Sequence, residues 1–362
     1  MSPQQIASTR NIYLDILRGL AVLGVVGYHF YGRGPFAYGH FGVLLFFVIS
    51  GYCIQLSEAS SKNAWHFYTK RVARLMPALV TCGMLTAAVK IHYPVLLAER
   101  PVDWIDPILV AVNMPTLDLL QIPYHYPDWA YWSLAVEFEY YILISVLMLF
   151  VRGWILVFLL ILGSIGVLVL FLITPWKHPP QLAYFLPFFV AGACLKLIFV
   201  DGKKHLGVLG IVTAIVYHAT CAHRGFVTSS LPASMLSLVA FLLSITLLVA
   251  IHCRGYESAA NGRLVRILAF VGLISYPLYL LHQDIGNTFL HLVGADCTAP
   301  ACVDTDAIWR LGITPLLMGA LAWSVHRAVE RPLIPLFTQI LVWLIEALSH
   351  VVRSSLRHFT RG

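Results

Sequence analysis

Apolar residues in this chain gather into long runs separated by short stretches rich in Pro, Gly, Asp and Lys. Runs of about 18 or more apolar positions have the length a helix needs to cross a lipid bilayer. They predict an all-α, polytopic membrane protein with about ten spans, at residues 12–32, 39–57, 75–95, 130–150, 154–173, 182–200, 206–222, 232–252, 266–291 and 307–327. The longest connection, 96–129, is rich in Asp, Pro, Trp and Tyr. No internal repeat of the transporter kind and no low-complexity segment is visible. The tail is apolar enough to suggest another span, but its polar positions fall on one side of a helical wheel. Gln339, Glu346, His350, Arg353, Arg357 and Arg361 face one way, with Leu336, Ile340, Leu344, Leu348 and Val351 on the rest. This pattern predicts an interfacial amphipathic helix. The organisation expected is a membrane body over 1–332 and a cytoplasmic surface helix over 333–362.

Charge orients these spans. With the N-terminus in the cytoplasm, the inner segments hold Arg10, Lys62, Lys70, Arg71, Arg74, Arg152, Lys203, Lys204, Arg254, Arg263, Arg266, Arg327 and Arg331. The other side receives Arg33, Arg100, Lys177, Arg224 and Arg310, and most loop acids: Asp103, Asp106, Asp118, Asp128, Asp296, Asp304 and Asp306. This is the positive-inside bias, and an odd number of spans would destroy it. Both termini are therefore expected in the cytoplasm. The first run carries Asp15 and Arg18 and lacks a small-residue cleavage pattern after it, so it is expected to stay as a signal anchor.

Composition agrees. The chain is 59% hydrophobic and only 11% charged, with mean hydropathy +0.80. The net charge of +7 is explained by the topological bias, so no nucleic-acid partner is expected. The seven cysteines contain no CxxC pair, and no metal site is expected. Cys53, Cys82, Cys194 and Cys253 read as buried small residues. Cys297 and Cys302 share a short polar stretch and could bridge if that loop faces an oxidising compartment.

Candidate chemistry begins in the first span. Ionisable groups inside a spanning helix are costly and default to a functional hypothesis. Asp15, Arg18 and His29 share nearly one face, with Arg18 and His29 roughly 16 Å apart along the axis. Glu137 in the fourth span and His282 in the ninth reach the same outer half of the membrane as His29. A histidine oriented by a carboxylate is a general base at neutral pH. Arg18 sits in the inner half, near a basic hairpin, Phe67 to Arg74, whose Arg71 and Arg74 suit phosphates. Plainer readings stay open: Asp15 and Arg18 neutralising each other, His29 and His282 as satisfied bundle histidines, Arg71 and Arg74 as topology signals. The aromatic residues of 124–132 read either as an interfacial belt or as a sugar platform. Glu137 is harder to dismiss, since a buried unpaired carboxylate is very costly. Glu139 leaves open which of the two faces inward.

Five stretches in order resemble the integral-membrane acyltransferase 3 family: Leu14-Asp15-Ile16-Leu17-Arg18-Gly19 with His29; Gly42-Val43-Leu44-Leu45-Phe46-Phe47-Val48-Ile49-Ser50-Gly51-Tyr52; Arg71-Val72-Ala73-Arg74; Trp132-Ser133-Leu134-Ala135-Val136-Glu137; and Ser275-Tyr276-Pro277-Leu278-Tyr279-Leu280-Leu281-His282, followed by Glu330-Arg331-Pro332. The chain departs from the family pattern at Leu44, where Asp is commoner, at Pro277, and at Phe138 and Glu139.

The resemblance implies an O-acyltransferase of the bacterial inner membrane. It would carry an acyl group, usually acetyl, from cytoplasmic acyl-CoA to a hydroxyl of a cell-envelope or exported glycan, free or lipid-linked. Acyl-CoA is then a co-substrate, with no bound cofactor. On this reading Arg18, Arg71 and Arg74 hold the donor's phosphates, and the pantetheine arm follows the first helix. His29 deprotonates the acceptor, Glu137 or His282 orients or relays, and the acceptor enters past Tyr124, Tyr126, Trp129 and Trp132, with Asp15 contributing to binding. The competing class is a proton-coupled carrier of a lipid-linked sugar, which would perform no acyl transfer.

Overall fold

A computed structural model describes residues 12–93, 102–116, 123–174, 180–223, 231–253, 262–295 and 306–359. The described residues are helices and their connections, with no strand among them. Ten spans fit: nine helices of sufficient length and apolarity, and a tenth if one bent pair counts as a single crossing. The helices are α1 (Ile12–Phe30), α2 (Gly42–Ala59), α3 (Ala64–His92), α4 (Asp106–Asn113), α5 (Trp132–Leu147), α6 (Trp154–Ile173), α7 (Gln181–Phe199), α8 (Lys204–His223), α9 (Leu231–Cys253), α10 (Arg263–Leu273), α11 (Ser275–Leu292), α12 (Thr314–Val325) and α13 (Arg331–Phe359). Cys297 and Cys302 lie outside the described residues, as do Arg10, Arg100, Asp118, Lys177, Arg224, Arg254, Asp296, Asp304 and Arg361.

Three boundaries differ from the sequence expectation. The basic segment 67–74 is not a hairpin but the first part of α3, 29 residues long. Its start is fixed by Asn63, whose side chain accepts the His66 N–H at 2.8 Å, an N-cap that satisfies one free amide. The ninth span is two helices, α10 and α11, meeting at 72°. The break is at Ile274, whose φ −94° and ψ 7° leave the helical region. Pro277 sits just beyond, in the first turn of α11, where its missing N–H costs nothing. Finally, the last span does not stop near 327. Two π-helical turns, Ile308–Ile313 and His326–Glu330, flank α12, and α13 follows directly.

Two crossings hold the bundle's centre. α2 lies against α7, and α1 against α10. Both depend on glycine. A Cβ on Gly51 would overlap the Phe189 carbonyl, and one on Gly192 the Val48 carbonyl. Likewise Gly272 passes the Asp15 carbonyl and Gly19 that of Leu268. Without a hydrophobic driving force between helices in lipid, such small-residue contacts carry the association. Gly192→Val should therefore force α2 and α7 apart. The expected result is loss of most folded protein after detergent extraction, measured by size-exclusion chromatography, with exposed Gly163→Val as the neutral control, since nothing lies near its missing side chain.

Outside this centre, α6, α8 and α9 expose apolar side chains such as Phe158, Leu162, Val169, Leu209, Val212, Val239 and Leu243. Such a surface suits lipid. Helices α1, α2, α3, α5 and α11 line the cavity described next.

Candidate active site

The described cavity measures about 250 Å³ and is lined by α1, α2, α3, α5, the α10–α11 elbow and the π-turn before α13. Along α2 it runs from Val43 to Cys53, a height of roughly 15 Å. Its two ends differ chemically.

At one end stand three guanidinium groups. Arg18 reaches Asp15 Oδ1 at 3.2 Å and Cys53 Sγ at 3.3 Å. Arg71 is buried; its Nη2 donates to the Tyr141 hydroxyl at 2.8 Å and lies 3.7 Å from Glu137 Oε1. Arg74 lines the same space and is accessible within it. It has no acid within salt-bridge distance among the described residues, though Arg18, Arg71 and Glu330 all act on its charge. Glu330 is buried and accepts His326 Nδ1 at 2.6 Å. That pair closes the π-turn His326–Glu330, one residue wider than an α-turn.

Glu137 sits at mid-height. It accepts one short hydrogen bond from the Tyr141 hydroxyl and a second from Ser50 Oγ at 3.2 Å. Glu139 faces elsewhere: its Oε2 accepts the Leu182 N–H at 2.9 Å and caps the start of α7. The structure thus decides which carboxylate looks inward. Glu137 holds Arg71, and the structure does not bring it into hydrogen-bond contact with either histidine.

At the other end are hydroxyls. Tyr279 Oη and Ser133 Oγ are 2.8 Å apart, and both approach the Ala130 carbonyl, at 3.0 and 3.3 Å. Just beyond them, outside the cavity lining, His29 and His282 pack ring against ring with centroids 4.9 Å apart. His282 is fully buried, and its Nδ1 lies 2.7 Å from the Tyr279 carbonyl oxygen. A proton on Nδ1 satisfies that carbonyl and leaves Nε2 as a lone-pair acceptor, and no described group bonds to Nε2. His40 packs on Tyr28 at 4.6 Å beside this pair.

Beyond the histidines, an ionic clasp fixes the connecting segment. Lys90 Nζ reaches Asp284 Oδ2 at 2.7 Å and the Pro127 carbonyl at 3.0 Å. Buried Asp128 accepts the amides of Ala130 at 2.8 Å and Asp284 at 2.9 Å. This holds Trp129–Tyr131 against α11, two residues from His282.

The aromatic candidates divide. Trp129 is 52% exposed, and Tyr124 packs edge-on to Tyr126 at 5.5 Å. Trp132 instead packs on Phe185 at 5.2 Å and Phe47 at 6.4 Å, wedged between α2 and α7. Asp15 lines the cavity as the partner of Arg18. Sequence reading missed Ser50, Tyr141, Ser133, Tyr279 and His326, and it gave Glu330 no role. Tyr141 follows Glu137 by one helical turn, a spacing that could have exposed the pair. Cys53, read as a packing residue, lines the cavity, while Cys82, Cys194 and Cys221 are buried. No cluster able to hold a metal occurs among the described residues.

Comparison with known proteins follows this geometry. The family model described as "Acyltransferase domain" matches residues 11–326. Peptidoglycan O-acetyltransferase OatA of Listeria monocytogenes is 25% identical over 361 residues, covering 88% of this chain and 55% of that protein. O-acetyltransferase OatA of Staphylococcus aureus is 32% identical over 149 residues, 38% of this chain and 24% of that protein. The O-acetyl transferase of Shigella phage Sf6 is 26% identical over 193 residues, covering 46% of this chain and 57% of that protein. The chain therefore spans about half or less of the length of these relatives. No solved structure matches.

Proposed function

The chain belongs to the acyltransferase 3 family, and from that premise we propose that it transfers an acyl group, acetyl in the simplest case, from acyl-CoA to a glycan hydroxyl at a membrane. The relatives' names supply O-acetylation and, for one, peptidoglycan; a cell-envelope or exported glycan, free or lipid-linked, is the acceptor class proposed here. The observation that carries the reading is the polarity of the cavity. Three guanidinium groups crowd one end, and the opposite end abuts a histidine pair.

Arg74, with Arg18 and Arg71, would receive the donor's phosphates by charge-assisted hydrogen bonds. The cavity is smaller than the range of about 300–1,000 Å³ usual for whole drug-sized ligands. It suits a slender pantetheine arm, with the nucleotide held at its mouth. On this reading a pantetheine arm spanning the roughly 15 Å from Cys53 to Val43 would bring the thioester to the histidine end. His29, next to the acceptor side, is the base, and His282 its relay. In this scheme the guanidinium end faces the cytoplasm with both termini, and the bilayer is the bacterial inner membrane. The acceptor approaches from the other face past Tyr124 and Trp129. Helix α13 from residue 333 anchors at the cytoplasmic surface.

Arg74→Ala tests the donor site. A hydrogen bond to a charged group contributes about 1.5–3 kcal/mol, so the donor KM should rise about 10- to 150-fold. The measurement is thiol release from acetyl-CoA by protein in nanodiscs with an acceptor glycan present. A wild type that neither binds acetyl-CoA nor releases thiol with acceptor present would move the assignment to a carrier, which performs no acyl transfer. An Arg74→Ala variant with unchanged donor KM would place the phosphates elsewhere.

A further inference from the structure

We propose that the Tyr279 hydroxyl, backed by Ser133, donates the hydrogen bond that stabilises the thioester carbonyl oxygen as it becomes an oxyanion. This rests on the reading of the cavity as an acyl-CoA site.

Acyl transfer needs two things at one carbon: a base for the incoming hydroxyl and a donor for the oxygen that gains charge. The first is supplied by the histidine pair. The second has to lie at the same end of the cavity. Arg18 sits at the level of Cys53, roughly 15 Å away along α2, and Arg71 is committed to Glu137 and Tyr141. Ser50 is committed to Glu137, and Tyr276 donates to the Leu75 carbonyl at 3.1 Å. Tyr279 and Ser133 remain, and both line the cavity.

Their hydrogen bonds suit the task. The two hydroxyls and the Ala130 carbonyl form a triangle with distances of 2.8, 3.0 and 3.3 Å. Three oxygens share two protons, all on neutral groups. An incoming oxyanion is a far stronger acceptor than either neutral partner, and it draws a proton by rotation about one C–O bond. The oxygens themselves are held still. The Tyr279 ring is packed by Phe46 at 6.1 Å and by His282 at 5.6 Å, and Ser133 sits in the first turn of α5. Tyr279 also fixes the histidine, because its backbone carbonyl takes the His282 Nδ1 contact at 2.7 Å. One residue thus registers the oxyanion donor against His282, the relay behind the base.

The step balances. The acceptor oxygen attacks the thioester carbonyl carbon and forms the new C–O bond. The carbonyl π electrons move to oxygen, where Tyr279 O–H meets them. His29 takes the acceptor's proton. Collapse restores the C=O bond and breaks the C–S bond, and the departing thiolate receives the proton from His29.

Tyr279→Phe keeps the ring and removes only the hydroxyl. Its kcat for thiol release should fall about 100- to 1,000-fold, the range for losing one oxyanion donor. The donor KM and the affinity for an unreactive thioether analogue of acetyl-CoA should stay within about threefold of wild type. Ser133→Ala should lose about tenfold in kcat, again with analogue binding retained. A Tyr279→Phe protein with kcat within about threefold of wild type would overturn the proposal alone. So would parallel loss of rate and analogue binding, which would assign Tyr279 to cavity shape. If the wild type itself releases no thiol with acceptor present, the donor reading falls and this proposal with it.

Discussion

His29→Ala is expected to lower turnover by about 10³-fold while leaving acetyl-CoA binding unchanged. A positioned general base contributes about 10²- to 10⁴-fold, and His29 is the half-buried histidine at the mouth of the pair, with fully buried His282 behind it. The proposed donor contacts lie at the far end of the cavity, so removing the imidazole should leave them intact. His282→Gln should act differently. It keeps an acceptor and a donor but alters the packing against His29, and its loss should be smaller and dependent on acceptor rather than donor concentration. Both effects are read from initial rates of thiol release in nanodiscs, with donor affinity measured separately. Full acyl transfer by folded His29→Ala protein would remove His29 from the chemistry.

The second large effect concerns stability. Arg71→Met should destabilise the bundle by about 3 kcal/mol, the low end for removing one partner of a buried ion pair. Arg71 is buried and Glu137 nearly so, and Tyr141 and Ser50 both orient their hydrogen bonds to the carboxylate that Arg71 neutralises. Taking away the guanidinium leaves that carboxylate uncompensated. The double variant Arg71→Met/Glu137→Gln should recover most of the lost thermal midpoint, because no charge is then stranded. It should not recover donor affinity, because the phosphate contact proposed for Arg71 is then absent. Recovery of both would make Arg71 purely structural; recovery of neither would mean that the pair is not the source of the loss.

These two variants also show what the residue order reveals and what it hides. The spans were legible because lipid demands long apolar runs, and their number follows from length and charge alone. The joints were not. Segment 67–74 reads as a basic loop because Lys70, Arg71 and Arg74 are polar, yet α3 buries Arg71 against Glu137 and Tyr141 of α5. That partnership is about 70 positions away in the chain and has no local signature. The bend at Ile274 falls within an apolar run, three residues before Pro277, and no local breaker marks it. Glu137 and Glu139 are equivalent by pattern, and only the Leu182 amide separates their duties. Trp132 was legible as an aromatic near the acceptor side, whereas its packing on Phe185 was not. His29 and His282 were visible as costly intramembrane groups, whereas Tyr279 and Ser133 were not, since a hydroxyl in a spanning helix ordinarily bonds its own backbone.

The hydroxyl seam has one more consequence. The cavity lining ends at Val43, Ser133 and Tyr279, with the Tyr279–Ser133–Ala130 triangle at that end and the histidine pair just beyond it. Tyr279 and Ser133 are the last lining hydroxyls before the histidine pair. If the chain works as proposed, only the acyl end of the donor has to reach that level, and the rest of the donor would stay at the guanidinium end.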